Sequence, residues 1–214
     1  LIRSFEEAKQ KLGYSEDYES FNLCEVMDAS FKLIGVGPVV FVNVLDPGQH
    51  KTSVNNEEVE VVNLEATVKQ EGILLDTVEV KSVDGETTYE KDADYFLSFN
   101  EKGYLMISVL EGGAIGSATS LSLNFDKIDP SKVTVEDIIG GYDTSSESYK
   151  GIETVETIFP KLNVVPSILI APGYSHEPEV VAVLASKQDG INGSFKTENI
   201  VDLLGETRQE AKEY

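Results

Sequence analysis

Between residues 46 and 130 the hydrophobic period of the sequence changes, and this change constrains the fold more than any other feature. Inside the block, short runs alternate apolar with polar side chains and are split by turn residues. Thr77-Val78-Glu79-Val80-Lys81-Ser82-Val83 alternates cleanly and is followed by Asp84-Gly85, a strong hairpin signal, and then by Thr87-Thr88-Tyr89. Tyr95-Phe96-Leu97-Ser98-Phe99 and Tyr104-Leu105-Met106-Ile107-Ser108-Val109 read as a second hairpin, turning between Asn100 and Gly103. Leu121, Leu123 and Phe125 mark a last strand before Asp129-Pro130, and only residues 65–70 are ambiguous between helix and strand.

The flanks read differently. Ser4 followed by Glu7 is a capping-box pattern, with Phe5, Ala8 and Leu12 on one face before Gly13. Phe21, Cys24, Met27, Phe31 and Ile34 continue a helical spacing until Gly35. Residues 39–45 and 164–171 are near-continuous apolar runs rich in Val and Ile, which suit strands buried on both faces. Thr134 and Asp137 frame a short helix. Residues 151–162 and 178–188 carry further helical patterns, the second opening at Pro178, and residues 199–204 are a third strand candidate. The expected fold is an α/β domain, a mostly parallel sheet flanked by helices, built from residues 1–45 plus 131–214. An all-β sandwich or small barrel, residues 46–130, is expected as an insertion in it.

Charge separates the two parts and narrows the partners. The 214 residues carry a net charge of −21, and residues 46–130 alone hold 17 acidic against 6 basic side chains. Such a surface repels phosphate backbones and anionic lipid, so no nucleic-acid partner is expected. No apolar run reaches the roughly 18 residues of a membrane span, so no direct membrane insertion is expected. One cysteine, Cys24, cannot form an intrachain disulfide, and with two histidines it leaves little for a zinc site. Residue 1 is Leu, and the chain is expected to begin inside a longer protein.

Candidate chemistry concentrates at residues 171–177, between a strand run and a helix, where open α/β sheets place ligand sites. Gly173-Tyr174-Ser175 resembles the start of a nucleophile elbow, but Glu177 stands where the motif needs glycine. His176 is adjacent to Ser175, a poor relay geometry, and His50 lies in the linker to the β block. An enzyme would need Ser175, His176 and Asp202 to converge. The bland alternative is a turn, with Asp202 ending a strand. Gly35-Val36-Gly37 precedes a strand, the wrong order for a phosphate loop. The acidic pairs Glu57-Glu58, Asp92/Asp94 and Glu136-Asp137 fall at turns or helix starts, and Cys24 falls on an apolar helix face. The tyrosines and phenylalanines are scattered, as core and edge residues are. No catalytic, cofactor-binding or metal residue is assigned, and no cofactor is expected.

Several stretches nevertheless resemble a known family. They are Ile138-Ile139-Gly140-Gly141-Tyr142, Gly151-Ile152-Glu153, and Val165-Pro166-Ser167-Ile168-Leu169-Ile170-Ala171-Pro172-Gly173-Tyr174-Ser175. Pro178-Glu179-Val180-Val181-Ala182-Val183-Leu184 and Ile191-Asn192-Gly193-Ser194-Phe195 follow in order, and the opening Ser4-Phe5-Glu6-Glu7-Ala8 agrees. Together they resemble the contractile tail sheath proteins of myophages and prophages, as a central portion without the family's N-terminal arm and C-terminal domain. The resemblance implies a virion structural protein and no enzyme. Its subunits would form stacked hexameric rings around the tail tube and drive tube penetration by contraction. Implied partners are further copies of itself, the tail tube protein, the baseplate and the tail terminator. The implied location is the virion tail, after assembly in the host cytoplasm. The rival reading is an α/β hydrolase-like or small-ligand-binding domain using the cleft at 171–177.

Overall fold

Ser4 starts the first helix as its capping pattern predicts. In the computed structural model, which describes residues 1–205 and 207–213, the Ser4 hydroxyl accepts the Glu7 N–H at 3.2 Å, and the Glu7 carboxylate accepts the Arg3 N–H at 2.8 Å. Helix α1, Phe5–Leu12, then ends at Gly13. Helix α2, Asn22–Asp28, runs without interruption into a π-helical turn, Ala29–Ile34. The wider turn rotates the helix face. Met27 therefore stays buried, whereas Ile34, expected on the same stripe, is 69% exposed. Ile2, Ala8 and Met27 form a small core with Phe5, Leu12, Tyr14, Phe31 and Phe41 packed against it.

The chain divides into two compact units, Leu1–Leu45 with Val133–Tyr214, and Asp46–Lys132. In the second unit the strands are β1 Lys51–Glu60, β2 Glu65–Val68, β3 Glu79–Lys81, β4 Tyr95–Phe99, β5 Leu105–Val109 and β6 Ser120–Ile128. They form two antiparallel sheets of three strands, in the orders β1-β6-β3 and β2-β5-β4. Alternation places Leu105, Ile107 and Val109 of β5 and Leu121, Leu123 and Phe125 of β6 in one apolar cluster, with Val80 fully buried among them. The polar strand β1 has a bulge between Val54 and Glu57. The one extra residue lets Val54 and Val59, five apart, both pack on that cluster. At the root of the unit Asp46 N–H donates to the His50 Nδ1 at 2.9 Å, and Asp129 N–H donates to the His50 carbonyl at 2.9 Å.

The C-terminal part of the first unit holds helix α3 Val135–Ile139, the hairpin β7 Gly141–Asp143 and β8 Ser148–Lys150, and a 3₁₀ turn Gly151–Thr157 leading into α4 Ile158–Leu162. Then come β9 Ile168–Ile170, α5 Pro178–Gln188, β10 Glu198–Ile200 and α6 Glu210–Glu213. Thr134 and Asp137 make a complete capping box for α3. Strands β9 and β10 pair in parallel, Ile168 opposite Glu198 and Ile170 opposite Ile200. Helix α5 crosses between them and buries Val180 and Leu184.

The expected fold class is corrected by this architecture. Among the described residues β9 and β10 are the one parallel pair of strands; the other ladders are antiparallel, the sheets have two or three strands, and neither sheet of the second unit closes into a barrel. Residues 39–45, expected as a buried central strand, have a single bridge, Ile2 to Val39. Their β-branched side chains are half-buried, and Val40 packs with Val155, Ile158 and Ile191, but among the described residues no strand lies alongside to complete a ladder. The Asn43 side chain instead accepts the Leu45 N–H at 3.1 Å, a local turn that competes with extension. Residues 164–171 and 199–204 each supply only three paired residues, which leaves the mostly parallel sheet without strands to build it.

Candidate functional site

The turn that follows β9 is the place where sequence and structure both concentrate polar groups. Alanine 171 is buried at the end of the strand, and Tyr174 N–H and Ser175 N–H both donate back to the Ala171 carbonyl, at 3.0 and 2.9 Å. Gly173 has φ +76°, and a Cβ there would stand 2.5 Å from the Asn22 Nδ2. The left-handed backbone favours glycine, and the space beside it is taken by the Asn22 side chain of α2. Helix α5 then begins at Pro178.

Ser175 is 1% exposed and belongs to a closed hydrogen-bond set. Its hydroxyl donates to the Asp202 Oδ2 at 2.8 Å and accepts the Asp202 N–H at 2.8 Å. The same Oδ2 accepts the Gly173 N–H at 3.3 Å. Asp202 therefore does more than end a strand, because it joins the exit of β10 to the turn after β9. His176 points to a different partner, its Nε2 lying 3.2 Å from the Glu177 Oε1. The structure brings Ser175 and Asp202 together and pairs His176 with Glu177. The hydroxyl gives its proton to Asp202 and accepts the Asp202 N–H rather than facing an imidazole, which is the arrangement of a structural tie. The Tyr174 phenol is raised above its ordinary range, first by burial and then by the charge of Asp137.

The remaining candidates have structural roles in their own elements. Glu57 accepts from the Gln70 side chain at 3.1 Å. Asp94 is held by the N–H groups of Ala114 at 2.7 Å and Glu90 at 2.8 Å, which lower its carboxyl below the usual range and fix two loops. Asp137 serves the α3 cap. The buried Cys24 accepts the Ser15 N–H at 3.4 Å. Gly35 stops the π-helical turn in the left-handed conformation. Among the described residues no group of three or more His, Cys, Asp or Glu is arranged to hold a metal ion, and no helix is long and apolar enough to cross a membrane.

Two features were not anticipated from the sequence. Lys187 on α5 reaches Glu153 at 2.7 Å and Glu156 at 2.9 Å, and Glu156 also accepts the Asn192 N–H at 2.7 Å. Burial opposes the charge on Glu156, but its hydrogen bond to Lys187 and the Asn192 N–H outweigh that and lower its carboxyl. Burial likewise opposes the Lys187 charge, and the two glutamates overcome it and raise the ammonium. The second feature is apolar. Ile168, Ile170 and Ile200 project from the open side of the β9–β10 pair at 46–58% exposure, and Leu203 and Leu204 are exposed in the segment that follows β10. A patch of this kind is characteristic of surfaces that pack against protein.

No family model matches the chain, and no solved structure matches it. Among curated proteins, the chain is 29% identical over 161 residues to the tail sheath protein of Burkholderia phage BcepMu. The match covers 75% of this chain and 33% of that protein, so the chain spans about a third of the length of the relative it matches. The resemblance to tail sheath proteins read in the sequence is borne out by this match.

Proposed function

We propose, taking kinship with a phage tail sheath protein as the premise, that this chain is part of a contractile tail sheath and acts as a structural component of the virion. The single observation that carries the reading is the match over three quarters of the chain. In this reading the chain works through protein contacts rather than catalysis. It contributes to subunits stacked as hexameric rings around the tail tube, and contraction of those rings drives the tube through the host envelope. The partners are further copies, the tail tube protein, the baseplate and the tail terminator, and assembly takes place in the host cytoplasm. Two observations support the reading. The polar groups of the turn at 171–177 satisfy one another through Ser175 and Asp202, and the β9–β10 pair presents isoleucines outward. With a net charge of −21, like copies repel one another, and at physiological ionic strength that repulsion is largely screened beyond about 8 Å.

Residues 46–130 are proposed to be an inserted domain with its own core, joined to a discontinuous domain of residues 1–45 plus 131–214. The functional reading is tested by mass spectrometry of tailed particles purified from the organism that encodes the chain. Peptides from residues 1–214 should be among the abundant components of intact tails. Their absence from the particles, with the chain found only in the soluble fraction, would overturn it.

A further inference from the structure

We draw no further inference here: the strongest candidate, the open apolar face of the two-stranded parallel sheet carrying Ile168, Ile170 and Ile200, carries nothing because nothing in the structure shows what covers it.

Discussion

Ser175 and Asp202 hold each other in both directions, the serine hydroxyl donating to the aspartate carboxylate and the aspartate N–H donating to the serine oxygen, each at 2.8 Å. The pair ties the C-terminal ends of β9 and β10, joining the turn that opens the crossover to the residues that follow β10. With only three residues paired in each strand, the crossover depends on such a tie more than a long ladder would. Ser175→Ala removes both bonds of a part-buried pair, a loss of about 0.5–1.5 kcal/mol for each. Urea unfolding followed by circular dichroism should show a lower midpoint for this variant. An unchanged midpoint would remove the tie from the explanation.

Gly140 is a second point at which the backbone leaves no room. It has φ +72°, and a Cβ there would fall 1.9 Å from the Lys150 carbonyl oxygen, across the base of the β7–β8 hairpin. Gly140→Ala should destabilise by well over about 1 kcal/mol, because both the backbone conformation and the hairpin base resist it. Thermal melting of the variant beside Gly113→Ala, whose Cβ would meet the Asp94 Cα at 2.9 Å, separates the two positions. The larger drop is expected at Gly140, and equal drops would contradict the ranking.

Much of the second unit, Asp46–Lys132, was legible because its strands obey the period of two. Leu105, Ile107 and Val109 announce their inward face directly, as do Leu121, Leu123 and Phe125. Strand β1 was illegible for a physical reason: most of its side chains are polar, and the bulge at Asn55 and Asn56 shifts Val59 out of step with Val54. Residues 39–45 show the converse. Composition alone suggested a central strand, but strand formation needs a partner, and only Ile2 offers one. At the candidate site the turn at 171–177 was visible from its Pro-Gly signal. The link to Asp202 was not, since it joins residues 27 apart through a crossover. The Lys187 network was hidden in the same way, with its glutamates more than 30 residues upstream.

That network gives the first unit a pH dependence of known sign. The Glu156 carboxyl is lowered in the folded chain, so its contribution is fully present above the unfolded glutamate value, roughly 4.3, and is lost as pH falls through the lower folded value. Urea midpoints of the parent chain and of Glu156→Gln should differ at pH 7, with the gap narrowing as pH falls below about 4. A gap that stays constant from pH 7 to pH 3 would assign the effect of the substitution to packing instead.

The second unit should fold without the rest of the chain. Its core is supplied by its own two sheets, and its entry and exit strands meet at His50 and Asp129. A polypeptide of residues 46–132 is expected to give dispersed amide resonances and one cooperative unfolding transition. Leu123→Ala, at a fully buried position, should lower its stability by about 2–5 kcal/mol. Collapsed, undispersed spectra from the parent fragment would show that the unit needs its flanks.

Immunogold electron microscopy of intact tailed particles, with antibody raised against residues 1–214, tests the sheath role most directly. Gold should decorate the outside of the tail along its length in extended particles and follow the shortened sheath in contracted ones, leaving the bared tube unlabelled. Label confined to the head, the tube or the baseplate would contradict a sheath role.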